Sequence, residues 1–347
     1  MSLAPHSATV AEARAFNRKL AWLPRFKISN RVTPALIQGL LRLSQVGAGV
    51  RLAAGGVRVE QRIAQACGLS VPVRIMRGAS PPCAVVLDFH GGGWVIGNAR
   101  MNDQLNAEMV TACDVAVVSV DYRLATSCPL AAIMDDCLAA ARWLLADGLP
   151  EYAGLPVYVL GESAGGHLAA ATLLRVKEWP ELLRRVDGAV LYYGVYDLAG
   201  TASVRAAGAD TLVLHGPTML SSLRLLTPGL SDEQRRQPPL SPLYGDLAGM
   251  PPAIMIAGER DPLRDDTMLL AERWGALRKL SAMCCPRPRM ALSAFRSAWR
   301  RQPAAAYTHG CVAAVIPAQA GIHAEHQARV PWVPACAGTT GSEQIFD

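Results

Sequence analysis

The 347-residue sequence lacks several signals that would place it in a protein class at once. Its N-terminus has no short apolar run followed by a small-residue cleavage site, and no uncharged apolar stretch is long enough to cross a bilayer. None of the nine cysteines forms a CxxC pair, and their scatter is typical of reduced thiols rather than of a disulfide framework. These absences favour a cytoplasmic protein without integral membrane association.

Charged residues are scarce, and no basic stripe with interleaved aromatic residues is present. Only 18% of the residues are charged and 51% are hydrophobic, which suits a large buried sheet rather than a disordered chain. The net charge is +6, but residues 276–347 contain eight Lys or Arg and three Asp or Glu. The remainder is therefore close to neutral, and we expect no nucleic-acid partner. The oligomeric state is left open.

Hydrophobic periodicity organises the first 275 residues. Residues 1–70 have apolar residues at helical spacing, which predicts N-terminal helices that either pack on the core or form a cap. Residues 71–275 alternate β-rich runs with helical stretches, which predicts an α/β fold with a mostly parallel sheet and helices on both faces. Within this core, residues 199–245 are a long mixed segment, either an active-site lid or a structural excursion.

The strongest local signal is GESAG at residues 161–165, which fits the nucleophile-elbow pattern G-x-S-x-G. It follows an apolar run and opens an apolar helical segment, which is the strand, turn and helix context that the pattern requires. Gly161 and Gly165 are needed because a side chain at either position would collide with a neighbouring strand or helix. Ser163 is therefore the predicted nucleophile, with a Gly/Ser-rich turn without chemistry as the alternative.

A second glycine-rich segment, HGGGW, directly follows the β-rich run at residues 84–89. It predicts an oxyanion hole formed by the backbone N–H groups of Gly91, Gly92, Gly93 and Ala164. A phosphate loop is the competing interpretation, but no Lys-Ser/Thr follows the glycines and GxGxxG spacing is absent. His90 is expected to orient the loop, because the base of such a site follows the serine and the acid in chain order.

Four motifs in order carry a family resemblance: HGGGW at 90–94, DYRLA at 121–125, GESAGGH at 161–167 and GERDPLRDD at 258–266. Over roughly residues 50–275 the sequence resembles the hormone-sensitive-lipase-like carboxylesterases. The resemblance implies an α/β-hydrolase fold with a helical cap, and hydrolysis of small-molecule carboxylic esters through a Ser-Asp-His triad without metal or cofactor. It also implies that Asp261, rather than Asp265 or Asp266, is the triad acid. An amidase or peptidase on the same fold stays open, since the same triad serves amides.

The triad histidine implied by the resemblance is missing. It should follow Asp261 after one more strand, yet no His occurs between His215 and His309. His309 is only a weak candidate for the base, because it sits in a Gly/Ala/Pro-rich tail. The stretch after Gly275 also loses helical and strand periodicity, which predicts that the C-terminal strand and helix of the fold are lost.

A change of reading frame explains this loss. If the codon of Arg289 ends in C, reading one base earlier across codons 289–291 gives His-Gly, at the position where the family has its histidine. Residues 315–321 and 333–340 resemble translations of a dispersed bacterial intergenic repeat. We therefore interpret residues 276–347 as an out-of-frame or repeat-derived tail, with a divergent authentic C-terminus as the alternative. The competing functional hypothesis is a catalytically silent pseudoenzyme or frameshifted gene remnant.

Overall fold

The computed structural model describes residues 32–211, 213–258 and 261–275, together with Trp22, residues 25–27 and the backbone of Ser281–Cys285. The strands are β1 Arg58–Ala66, β2 Leu69–Arg77, β3 Ala84–Phe89, β4 Val115–Val120, β5 Val157–Glu162, β6 Val186–Tyr192, β7 Ala253–Gly258 and β8 Ser281–Cys285. They form one sheet in the order β1-β2-β4-β3-β5-β6-β7-β8. The pairs β1–β2 and β2–β4 are antiparallel, and all other pairs are parallel. The predicted mostly parallel α/β sheet is confirmed.

Helices cover both faces of this sheet. They are α1 Val32–Ser44, α2 Ala48–Ala54, α3 Asp103–Cys113, α4 Leu130–Leu145, α5 Ala164–Val176, α6 Pro180–Leu183, α7 Ala202–Arg205, α8 Met219–Leu226, α9 Asp232–Arg235 and α10 Arg264–Gly275. Every residue of β3, β4 and β7 is buried, as expected for parallel strands covered on both sides. One apolar cluster packs residues of α4, α5 and α10 against one set of alternate strand positions. A second cluster packs residues of α2 and α3 against the intervening positions, on the other face of the sheet.

A buried polar cluster fixes the carboxyl end of β3. The carboxylate of Asp88 accepts hydrogen bonds from Asn106 Nδ2 at 2.9 Å and Ser119 Oγ at 2.8 Å. Burial raises the pKa of Asp88, and these hydrogen bonds oppose the rise. Because Asp88 lies two residues before His90, the cluster anchors the strand from which the glycine-rich segment departs.

The structure differs from the sequence prediction at both edges of the sheet. Residues 58–66 are strand β1 rather than helix, because pairing with β2 along its whole length outweighs the helix propensity of its Arg, Glu, Gln and Ala residues. Cys67 and Gly68, with φ of 53° and 72°, form the two-residue turn of this hairpin. At the opposite edge, strand loss was predicted, yet the backbone of β8 pairs with β7. Its five residues contain no proline, so every N–H can join the ladder. The predicted loss of the last helix falls outside the described residues.

Two segments distant in sequence meet above the sheet. The N–H of Phe26 donates to Val213 O at 2.8 Å, and the N–H of His215 donates to Phe26 O at 2.9 Å. We call this pairing of residues 25–27 with residues 213–215 the clasp. It ties the N-terminal region to the 199–245 insertion. In the described part of the chain, no helix combines the length and apolar character needed to cross a membrane.

Candidate active site

Ser163 occupies a strained turn between β5 and α5. Its φ of 53° and ψ of −118° are unfavourable for a residue with a side chain. A Cβ at Gly161 would lie 2.3 Å from Gly165 O, and a Cβ at Gly165 would lie 1.9 Å from Phe89 O. Neither position has room for a side chain, so the two glycines allow the turn to pack against the end of β3.

The HGGGW segment forms a tight loop beside this turn. Gly92 has φ of 107°, and the N–H groups of Val95 and Ile96 donate back to its carbonyl at 3.2 and 3.1 Å. A Cβ on Gly92 would lie 2.1 Å from Ile96 O, which excludes any side chain. Among the described residues, no acceptor contacts the backbone N–H groups of Gly91, Gly92, Gly93 and Ala164. The N–H of Ala164 is also at the N-terminus of α5, where the helix dipole favours negative charge.

The DYRLA segment packs against the glycine loop and forms hydrogen bonds to both ends of the HGGGW segment. The Tyr122 ring stacks on His90 with centroids 4.1 Å apart, and its hydroxyl donates to His90 O at 2.6 Å. The N–H of Ala125 donates to Trp94 O at 2.7 Å. Burial lowers the pKa of His90 to about 4, an effect that the Gly91 carbonyl partly opposes. His90 therefore stays neutral near neutral pH and lies beneath the loop, where it contributes to the shape of the loop.

Trp94 connects the glycine loop to α5 and to the insertion. Its Nε1–H donates to His167 Nδ1 at 3.2 Å, and His167 Nε2 lies 2.9 Å from Leu240 O. An indole nitrogen only donates, so Nδ1 accepts and Nε2–H donates to Leu240 O, which fixes one tautomer. Burial lowers the pKa of His167 to about 4, so the neutral ring persists at ordinary pH. Sequence analysis missed this link because its three members lie far apart in the chain.

Ser163 borders an apolar cleft that is open to solvent. The lining residues are Phe26, Lys27, Gly93, Trp94, Ser163, Val195, Leu214, His215, Thr218, Met219, Ser222, Leu223, Leu226 and Leu263. Both sides of the clasp and helix α8 contribute to this wall. The cleft therefore resembles a small-molecule site, mostly apolar with a few polar groups.

His215 is the third histidine of the described chain, and it borders this cleft. Its Nδ1 lies 3.0 Å from Thr218 Oγ1, and that hydroxyl lies 3.2 Å from the His215 carbonyl, to which it donates. Since the single hydroxyl proton goes to the carbonyl, Oγ1 accepts from Nδ1–H. The Nδ1 partner of His215 is thus a threonine and not a carboxylate.

Asp261 begins the turn that follows β7. Its Oδ1 accepts from the Leu263 N–H at 2.8 Å, and in the described chain its carboxylate has no cationic partner. Burial raises the pKa of Asp261 to about 6, and the Leu263 hydrogen bond only partly offsets the rise. The Tyr193 hydroxyl donates to Glu162 Oε2 at 3.2 Å. Burial raises the pKa of Tyr193 well above its ordinary value, and the negative charges of Glu162 and Asp261 raise it further.

The two neighbouring carboxylates have different surroundings. Asp266 is buried and accepts from the N–H groups of Tyr196 and Asp197 at 2.6 and 2.8 Å, and from Thr201 Oγ1 at 2.5 Å. Asp265 pairs with Arg264 at 2.9 Å and accepts from the Ser203 N–H at 3.0 Å. Both therefore hold the segment after β6 in place. His309 lies outside the described residues.

Comparison with known proteins places the chain among esterases. The profile of an α/β-hydrolase fold family matches residues 86–284. The carboxylesterase NlhH of Mycobacterium tuberculosis is 35% identical over 228 residues, which cover 62% of this chain and 69% of that protein. The crystal structure of esterase LipW from Mycobacterium marinum has a TM-score of 0.69 at 28% identity, covering 82% of this chain and 88% of that one. An esterase of Pyrobaculum calidifontis has a TM-score of 0.66 at 25% identity, covering 78% and 87%.

Proposed function

Because this chain belongs to the α/β-hydrolase fold family, and within it to the hormone-sensitive-lipase-like carboxylesterases, we propose that it hydrolyses carboxylic esters by acyl transfer through Ser163. One observation carries the proposal: Ser163 stands in a strained turn on an apolar cleft, beside backbone N–H groups that have no described protein acceptor. Such a turn exposes a serine hydroxyl to substrate, and such donors suit the oxygen of an ester carbonyl.

In this mechanism Ser163 Oγ attacks the ester carbonyl carbon while a base removes its proton. The electron pair of the carbonyl moves to its oxygen, and the N–H groups of Gly91, Gly92, Gly93 and Ala164 are the donors proposed to stabilise that oxyanion. Collapse of the tetrahedral intermediate expels the alcohol, which takes the proton from the base. Water then hydrolyses the acyl-enzyme by the same steps.

Asp261 is the proposed residue that orients the base. It follows β7 as the nucleophile follows β5, so both lie at the carboxyl end of the parallel sheet, where ligands of such folds bind. Among the described residues its carboxylate accepts one backbone hydrogen bond, which leaves acceptor capacity for the base. A positively charged imidazole beside it would lower its raised pKa, since an opposite charge favours the ionised carboxylate.

We propose that the base is the histidine encoded across codons 289–291 in the neighbouring frame. His90 is buried with its Nδ1 2.8 Å from Gly91 O, both ring nitrogens of His167 are bonded inside the fold, and His215 is bonded to Thr218. The family match reaches residue 284, and β8 ends at Cys285. These limits support a change of frame after β8 and before codon 289, somewhat later than position 276. The chain as written would then be nearly silent, keeping only the contributions of the oxyanion hole and binding.

The test starts with resequencing of codons 275–292, followed by expression of the chain with the neighbouring frame restored. We expect this protein to hydrolyse p-nitrophenyl butyrate and the Ser163→Ala variant to be inactive. The control is Ser221→Ala, which changes an exposed serine of α8, outside the lining of the cleft, and should leave turnover intact. Full activity in Ser163→Ala would remove Ser163 from the mechanism, and inactivity of the restored protein would contradict the proposed base.

The 347-residue chain provides a second test. Without a base the Ser163 hydroxyl stays protonated, so a fluorophosphonate probe should label the restored chain but not the chain as written. Stoichiometric labelling of Ser163 in the chain as written would show that a base is present in it. The first residues to substitute would then be His215, which borders the cleft, and His309.

A further inference from the structure

A row of apolar side chains is exposed along α1, the following turn and α2. Leu36, Leu40 and Leu43 of α1, Val46 of the turn and Val50 of α2 are each at least 62% exposed. They follow one another at steps of four, three, three and four residues, so three of them share one face of α1. We call these five residues the apolar stripe. Scattered exposed apolar residues are ordinary, but a contiguous row of this kind marks an interaction surface.

The stripe is held outward by the opposite face of α1. Gln38 is buried and exchanges two hydrogen bonds with the Gly97 backbone, both of 2.8 Å. Gln45 and Asn98 exchange two more, at 3.0 and 2.8 Å. Turning the stripe toward the core would break all four bonds. The helix is thus apolar outside while its polar inner groups are already satisfied by the loop that follows HGGGW.

The excess of positive charge around α1 and α2 indicates what kind of surface the apolar stripe would bind. Residues 13–59 contain nine Lys or Arg and no Asp or Glu, whereas residues 60–275 contain 17 basic and 24 acidic residues. Arg42 and Arg51 are exposed, each is next in sequence to a residue of the stripe, and neither forms an ion pair with any described residue. A second copy of the same face would bring these cations together without an acidic partner, which opposes self-association. A negatively charged surface would neutralise them.

We propose that the apolar stripe docks on an anionic phospholipid bilayer surface. The leucines would enter the boundary between headgroups and acyl chains, and Arg42 and Arg51 would face the phosphates. This is binding to the surface of the bilayer and does not require a helix that spans it. The inference concerns a surface outside the cleft, so it is independent of whether the chain hydrolyses esters.

The test is flotation of the full 347-residue chain, synthesised by cell-free translation in the presence of vesicles. Vesicles rise in a density gradient and aggregates sink, so poor solubility is not mistaken for binding. We expect the chain to float with phosphatidylcholine vesicles that contain phosphatidylglycerol, and much less with pure phosphatidylcholine or at high salt. Replacing Leu36, Leu40 and Leu43 together by serine should reduce the partition coefficient at least about tenfold, since removing even part of their buried apolar area suffices.

The matched control replaces Ile63, Leu225 and Leu269 by serine, three exposed apolar residues outside the stripe. This variant should float like the unmodified chain. Arg42→Gln with Arg51→Gln should lower the partition coefficient on anionic vesicles about thirtyfold while leaving any residual binding to neutral vesicles unchanged. Equal flotation of the stripe and control variants would overturn the proposal. If the chain stays at the bottom of the gradient with anionic vesicles, the proposal is overturned as well. That conclusion holds whatever covers the stripe instead, a second copy of the chain or residues 1–21.

Discussion

The surroundings of Ser163 and of Asp261, the two described members of the proposed triad, differ. The described residues determine both backbone position and protonation around Ser163, but only position around Asp261. Around Ser163, glycine contacts and the links through Trp94, His167 and Tyr122 fix the backbone and one tautomer. Around Asp261, one backbone hydrogen bond fixes the position, but burial without a cation raises the pKa to about 6. The backbone at Ser163 and Asp261 is therefore in place without the base. The protonation state of the Asp261 carboxylate, in contrast, depends on whether the base is present.

The largest effect is expected from adding a side chain at the tightly packed turn that carries Ser163. Gly165→Ala would place a Cβ 1.9 Å from Phe89 O, and neither backbone can move without displacing β3 or α5. We expect the restored chain with this substitution to yield no soluble, active protein. Gly39→Ala is the control, because a Cβ there meets nothing within 4 Å. Expression yield and thermal unfolding measure both, and a stable, active Gly165→Ala protein would contradict the described elbow.

On the acid side the effect should appear in turnover rather than in folding. In the restored chain, Asp261→Asn should lower kcat by about four orders of magnitude, as loss of the orienting carboxylate does in a serine protease. Asp265→Asn should remain close to the parent, since Asp265 contacts Arg264 and Ser203 and not the cleft. Equal losses in the two variants, measured with p-nitrophenyl butyrate, would show that the acid is assigned wrongly.

A smaller effect is expected from the link between the glycine loop and the insertion. Trp94→Phe removes the donor to His167 and leaves Nδ1 unpaired, which should lower kcat about tenfold by loosening the loop. Trp274→Phe is the matched control, because it removes a buried indole bond of 2.8 Å to Pro251 O, away from the cleft. Both should lose similar stability, but only Trp94→Phe should lose turnover. Equal kcat values would confine Trp94 to a packing role.

The smallest effect concerns the titration of Asp261 in the chain as written. Its folded pKa of about 6 exceeds the ordinary value of 3.8, so between these pH values the folded state binds more protons than the unfolded state. The free energy of unfolding should therefore fall as pH rises from about 4 to 6. The difference in Tm between this chain and its Asp261→Asn variant should follow that slope. This dependence of the Tm difference on pH should be smaller in the restored chain. A slope of opposite sign in the chain as written would mean that Asp261 has a cationic partner there.

The sequence predicted those features that short segments encode. The elbow glycines, the loop glycines and the central strands all follow from local pattern, because backbone conformation and burial on both faces limit the residue types there. β1 was predicted as helix, since its side chains favour helix and only pairing with β2 decides otherwise. The His167–Leu240 bond and the anchoring of Asp266 were missed because each joins segments far apart in the chain.

The clasp bears on the kinetics of substrate exchange. Two backbone hydrogen bonds, of 2.8 and 2.9 Å, join Phe26 to residues 213 and 215 across the wall of the cleft. At about 0.5–1.5 kcal/mol net each, these bonds contribute about 1–3 kcal/mol. The Arg25 Nε–H bond to Thr211 O and the packing of Phe26 and Leu214 on the core add to this cost, so the open form would be a minor population reached by loop motion in microseconds to milliseconds. Opening on that timescale is faster than a typical enzyme turnover of about 10 s⁻¹, so the clasp should not limit product release. Turnover in the restored chain should accordingly be insensitive to added viscogen.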